Sequence, residues 1–249
     1  MRAKKLAACT FALCGLAPAA YAAHPLVTDD TGTQDTGNSQ LELNADRIRQ
    51  RTAMSTTSNA TYTYGVAPTL DIFFNTPMTL SSPSGVGDVS LGVKWRFVEQ
   101  EAASLAFKPE LFFPSGDENK GLGTGNPSLA MTLIGNWETA PWTLQGNVAV
   151  TFNNYRLQAT REATRNRLWR VSAAARYALT EQWQLLADVG ASRDSDITSN
   201  GYPAFFLTGV IYSPIKTLDL DAGLRFGLGC KDCTTQIQRQ FGVGLTWRF

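Results

Sequence analysis

Apolar and polar residues alternate with a period of two along most of the chain. The last nine residues show it most cleanly. Phe241, Val243, Leu245, Trp247 and Phe249 are large and apolar, while Gly242, Gly244, Thr246 and Arg248 between them are small or polar. Side chains of a strand point alternately to its two faces, so this spacing predicts a strand with one apolar and one polar face. Val89, Leu91, Val93, Trp95 and Phe97 alternate in the same way with Asp88, Ser90, Gly92, Lys94 and Arg96. So do Trp169, Val171, Ala173, Ala175 and Tyr177 with Arg170, Ser172 and Arg176. The stretch from Ala204 to Ser213 is the exception, being apolar on both faces. The count comes to about twelve strands, each near the length that a tilted membrane strand needs.

Two kinds of connection separate these strands. Short ones fall near residues 66–68, 100–103, 139–141, 180–182 and 214–217. Longer ones, most of them rich in Gly, Ser, Asp, Asn or Thr, occupy 48–58, 81–87, 114–126, 154–167, 193–202 and 229–237. Short and long alternate along the chain, as periplasmic turns and outer loops do in outer-membrane barrels. With both termini periplasmic, five short turns and six long loops give an even strand number.

Periodicity cannot tell inside from outside, and a soluble lipocalin-like barrel or sandwich would alternate equally well. Two features favour the membrane. The polar faces carry both signs of charge on neighbouring strands, which suits internal ion pairs. The six tryptophans fall mostly near strand ends, where interfacial girdles belong. The expected fold is therefore all-β, a transmembrane antiparallel β-barrel of about 12 strands over residues 38–249. The terminal strand resembles that of bacterial outer-membrane proteins, whose final Phe is part of the signal read by the assembly machinery. Trp247 and Phe249 are the matching residues, and the implied partners are that machinery and outer-membrane lipid.

The first 22 residues read as a cleaved secretory signal. Arg2, Lys4 and Lys5 form a positive start, Leu6 to Leu16 an apolar run, and Ala20-Tyr21-Ala22 a cleavage site. The formal net charge of the whole chain is +1. Removing three basic residues and no acidic one turns it to −2, which argues against nucleic acid as a partner. Residues 23–37 are polar, acidic and rich in turn formers. The expectation for them is a periplasmic tail; the alternative is a plug, since Asp29, Asp30 and Asp35 precede a lumen that contains cations.

Catalytic chemistry is poorly supplied. The only histidine, His24, lies beside the cleavage site and is expected outside the barrel, so no strand or loop offers a general base. No enzyme, cofactor or metal is expected. Cys230-Lys231-Asp232-Cys233 in the last long loop is the candidate disulfide, because export leads to an oxidising compartment. Gly121-Leu122-Gly123-Thr124-Gly125-Asn126 lacks the strand–helix setting of a phosphate loop and reads as a flexible outer loop.

Four stretches are similar to one family: Pro25-Leu26-Val27-Thr28-Asp29-Asp30-Thr31-Gly32-Thr33, the run Gly85 to Phe97, Phe107-Lys108-Pro109-Glu110-Leu111, and Pro114-Ser115-Gly116-Asp117. They resemble the outer-membrane transporter-like proteins named for the MetA pathway of phenol degradation, over nearly all of the exported chain. The resemblance implies an uptake barrel for aromatic or hydrophobic compounds and brings no catalytic residue with it.

The lumen remains as the site. Its candidate lining residues are Asp88, Lys94 and Arg96, then Lys108 and Glu110, Arg170 and Arg176, Asp188, and Asp219, Asp221 and Arg225. Glu42, Asp46, Asp71, Glu138 and Arg248 share the polar faces. About twelve strands enclose a narrow pore or a ligand-sized cavity. The expected function is a channel or transporter for a small solute in the bacterial outer membrane. The alternative is a barrel that transports nothing and acts structurally or by binding a partner at its surface.

Overall fold

A computed structural model describes residues 24–249 except 231 and 234; the expected signal sequence lies outside the described residues. Twelve long strands form one antiparallel sheet: β1 (Ser39–Gln50), β2 (Met54–Ala67), β3 (Leu70–Thr79), β5 (Ser90–Glu99), β6 (Ala103–Phe112), β7 (Ser128–Thr139), β8 (Trp142–Phe152), β9 (Arg167–Ala178), β10 (Trp183–Ser192), β11 (Ala204–Ile215), β12 (Leu218–Leu228) and β13 (Ile237–Arg248). A two-residue strand, β4 (Gly85–Val86), pairs with the end of β3. Each long strand pairs with the next, and β13 returns to β1 with Arg248 opposite Gln40 and Arg239 opposite Arg49. Phe249 completes the seam through its backbone: Ser39 N–H donates to the Phe249 carbonyl at 2.7 Å, and Phe249 N–H to the Ser39 carbonyl at 2.9 Å. Closure removes every sheet edge, the condition for burying a β-sheet in lipid.

The apolar faces point outward. Leu43, Tyr62, Phe74, Leu91, Leu133, Val148, Val189 and Leu224 are all exposed, one strand after another. Burial is inverted relative to a soluble barrel, because most of the buried side chains are polar, chiefly Ser, Thr, Asn, Asp and Arg. All six tryptophans face outward. At the short-turn end of the barrel three of them meet aromatic neighbours: Trp142 edge-on to Tyr177 at 4.8 Å, Trp183 stacked on Tyr212 at 4.5 Å, and Trp247 tilted against Phe249 at 4.6 Å. Trp169 lies tilted against Tyr202 at the other end. These are the two interfacial belts of a membrane barrel.

The expected long connection over 48–58 is instead strand, and only residues 51–53 turn. Ser55, Thr57 and Asn59 on β2 are hydrophilic enough to resemble a loop, yet they pair in unbroken register with Ile48, Asp46 and Asn44. The loop over 153–166 carries a short helix, α1 (Gln158–Ala163), and the loop over 113–127 a single 3-10 turn. In the last loop Cys230 and Cys233 are joined by a disulfide.

The largest departure is the lead-in. Rather than hanging free, His24 to Gly37 runs inside the barrel from the short-turn end. Gly37 N–H donates to the Gly65 carbonyl at 2.9 Å, and from there the segment reaches up to His24 beside Asp46 and Asp221. The tail expectation fails because this segment has partners in the lumen for its charges, its backbone and its one large apolar side chain.

Phe249 joins an apolar outward end to the backbone bonds that close the seam. Deleting it should lower the amount of folded barrel severalfold. The heat-modifiable band on an unboiled gel measures this, and an undiminished band would show that the seam closes without it.

Candidate functional site

The interior is built from the inward polar faces and the segment that lies across them. Asp29 sits between two ammonium groups, with Lys108 Nζ at 2.6 Å and Lys94 Nζ at 3.2 Å. Asp30 accepts from Arg176 at 3.2 Å and lies 3.7 Å from Lys94. Asp188 receives the backbone N–H groups of Val27 and Thr28 at 2.7 and 2.9 Å, and the Thr28 hydroxyl at 2.8 Å. Asp71 receives the Gln34 N–H at 3.1 Å through both oxygens. A segment without secondary structure can be buried only if its backbone groups find such partners.

Leu26 explains the stretch that did not alternate. Phe205, Leu207 and Ile211 of β11 turn inward and join Leu186 and Ala174 in the cluster that buries Leu26. An apolar inner face is wasted in a water-filled lumen, but here it docks a leucine, worth roughly 1.5–3 kcal/mol. Next to it, glycines make room for the end of the segment. A Cβ at Gly223 would collide with Pro25, and one at Gly242 or Gly244 with the His24 ring.

His24 therefore lies within the barrel, correcting the expectation that it sits outside. Its Nδ1 meets Asp221, and its Nε2 lies 3.5 Å from Asp46. Burial works against a charged imidazole, but the two carboxylates outweigh it and push the pKa from 6.5 up to about 9. Asp29 moves the other way. Burial alone would raise it, yet Lys108 and Lys94 hold it well below the usual carboxylate range.

The sequence-selected residues divide by what they touch. Lys94, Lys108, Arg176, Asp188 and Asp221 meet the segment directly. Asp88 instead fixes the 113–127 loop, receiving Gly116 N–H at 3.0 Å and Thr124 N–H at 2.7 Å. Glu110 receives the Ser90 hydroxyl at 2.5 Å. Arg96 reaches the Pro68 carbonyl and Glu99 near the short turns. Asp219 pairs with Arg248 at 2.6 Å and with Ser213. Arg225 covers the Phe205 ring at 4.2 Å, and Arg170 lies in the field of Asp188, Asp29 and Glu110. His24 and Leu26 were missed as site residues, although an acidic segment ahead of a cationic lumen was the available clue.

Two spaces remain. Toward the long loops a vestibule of about 600 Å³ opens between β1–β3 and the 113–127 loop, lined by Asn44, Asp46, Thr57, Asn59, Met78 and Tyr155 among others. Below it, a void of about 40 Å³ lies between the segment and the same wall, bordered by Glu42, Thr61, Thr63, Asp71, Phe73, Lys94 and Lys108. That void has space for water and little more. Among the described residues no group of three or more side chains is placed to hold a metal ion.

Residues 22–249 match the family described as "Putative MetA-pathway of phenol degradation", and the chain belongs to it. No curated protein sequence matches the chain. Among solved structures it is similar to the COG4313 outer membrane channel from Pseudomonas putida F1, with a TM-score of 0.69 at 12% identity, covering 88% of this chain and 98% of that one. The NanC porin gives 0.64 at 8% identity, covering 83% and 98%. The KdgM porin gives 0.61 at 9%, covering 84% and 99%. All three share the outer-membrane barrel fold.

The His24 contact makes docking pH-dependent. A pKa raised on docking stabilises the docked segment fully below 6.5, and the gain is lost as pH rises through about 9. Hydrogen exchange over residues 24–37, corrected for intrinsic rate, should therefore be slowest below pH 6.5, accelerate progressively from there to about pH 9, and level off above it. His24→Gln should flatten that profile; an unchanged profile in the variant would remove His24 as the anchor.

Proposed function

We propose that this protein is an outer-membrane channel for small solutes whose conducting route is narrowed by its own N-terminal segment. The observation that carries this reading is the segment's position. It crosses the lumen from Gly65 at the short-turn end to Asp46 and Asp221, and leaves the vestibule and the small void beside it along β1–β3. A solute entering from the long-loop end would descend past Asn44, Asn59, Thr61 and Thr63 and leave near Gln40. The long loops face outside the cell and the short turns the periplasm in this reading, as in other outer-membrane barrels.

Amides, hydroxyls and charges line the narrow void with Phe73 as its one apolar side chain, whereas the vestibule also presents Pro77, Met78, Leu122 and Tyr155. The phenol-pathway description of the family supports an aromatic solute; the lining of the narrow void supports a polar one. The KdgM porin, a barrel of the same fold with a TM-score of 0.62 at 8% identity, has been solved in complex with disordered oligogalacturonate, a polar molecule. No catalytic step is invoked, and diffusion down a gradient suffices. The competing reading, a barrel that only binds partners at its surface, draws on the small size of the void.

Planar-bilayer recordings separate the two. The exported chain should conduct in small steps, and a chain beginning at Gly37 should conduct in clearly larger ones. Raising salt should increase the frequency of large steps in the full chain, because screening weakens the ion pairs of Asp29 and Asp30. Silence from both chains, correctly folded, would leave the surface-binding reading.

A further inference from the structure

The strongest concentration of positive charge around the narrow void is met by two consecutive carboxylates of the chain itself. Lys94 and Lys108 reach Asp29 from β5 and β6, on one side of the lumen. Arg176 reaches Asp30 from β9, on another. Lys94 also donates to the Asp30 backbone carbonyl at 3.3 Å. All three cations lie on strands held by the closed sheet, whereas the carboxylates lie on a segment with no regular structure. The receptor is rigid and its occupant is tethered by a single turn at Gly37.

We infer that the cluster of Lys94, Lys108 and Arg176 is a binding site for a small solute carrying two carboxylates, and that Asp29 and Asp30 occupy it as an internal mimic. The inference rests on the channel reading for its biological sense, but the site itself does not depend on conduction. Three cations gathered in the lumen, Arg176 buried and Lys94 and Lys108 half-buried, are costly unless anions satisfy them, and charge-assisted hydrogen bonds are the strong kind. Lys94 and Lys108 border the void on the solute's route, so an incoming dianion would meet them first. The aromatic ring of Phe73 lies under Lys108 at 4.6 Å and fixes the ammonium toward Asp29.

The opposing charges are near. Asp71 faces Lys94 across the β3–β5 pairing, and Glu42 borders the same void. Asp71 is turned to the Gln34 N–H, so its carboxylate is engaged by the segment while the segment is docked. That is why the segment should stay in place during the test and lose only its two carboxylates.

The experiment compares the full exported chain with its Asp29→Ala/Asp30→Ala variant in detergent, with succinate as the probe and succinamide as its neutral isostere. Leu26, Thr28 and His24 still dock the segment, so the cations lose the Asp29 and Asp30 carboxylates without losing the scaffold. Calorimetry should show succinate binding the variant roughly tenfold or more tightly than the wild type, since a lost charged hydrogen bond is worth that much. Succinamide should bind neither protein, and adding Lys94→Gln/Lys108→Gln should abolish the gain. An unboiled gel reports folding for each variant. If that charge-neutralised variant misfolds, succinate protection of Lys94 and Lys108 from amine acetylation in the alanine variant, read by mass spectrometry, replaces it. Equal succinate binding by wild type and alanine variant, no binding by either, or equal binding of succinamide would overturn the inference. Bilayer silence with intact succinate binding would overturn the channel reading alone.

Discussion

A barrel closed against lipid must satisfy every polar group on its inner face from within. Twelve strands in this chain send Asp, Arg, Lys, Asn, Ser and Thr inward while their Leu, Val, Phe and Trp residues meet the bilayer. The circumference is too small for a wide aqueous pore and too large for these side chains to fill by themselves. Ion pairing between strands accounts for part of the interior, as Arg248 with Asp219 shows. The rest depends on a piece of chain brought in from the end. Lys94, Lys108, Arg176 and Asp188 each take a partner from the segment. Everything else about the interior, including where a solute could pass, follows from that arrangement.

The energetics of docking are mixed in kind, and that matters for how the segment could move. Leu26 contributes an apolar contact that salt does not weaken. The ion pairs of Asp29 and Asp30 contribute terms that salt does weaken, although burial reduces the effect. His24 adds a term that fades as pH rises. The segment has no helix or strand to unfold, so the barrier to leaving is the sum of these contacts. Loss of one anchor frees one end before the other, since the contacts are spread along the barrel from Gln34 near the turn at Gly37 to His24 at mid-height.

The wall was legible in the sequence and the contents were not. Period-two alternation fixes a strand's two faces, and the aromatic placement at strand ends decides which face meets lipid; both hold for the tryptophans and for the long strands other than β11 and the start of β2. The 48–58 region was misjudged because Ser, Thr and Asn on β2 face a polar lumen, where a strand and a loop have the same composition. The segment was harder still. Three aspartates in a turn-rich stretch look the same whether solvated or paired, and only the strand registers bring Lys94, Lys108 and Arg176 to one level. Those registers are long-range facts that no local pattern holds.

Two oddities of the sequence nonetheless record the segment from the wall's side. The apolar inner face at Phe205, Leu207 and Ile211 breaks alternation where Leu26 docks. Gly242 and Gly244, which make the terminal strand's polar face so small, lie under the His24 ring, where any side chain would collide. A water-filled pore would need neither feature, and polar side chains of ordinary size would serve better at all five positions. Wall and segment thus specify one another through shape as well as charge. Substitutions on the two sides that touch the same contact should be non-additive, because each removes what the other was fitted to. The lumen of this barrel is a docking surface first, and any solute would have to pass through the space that docking leaves.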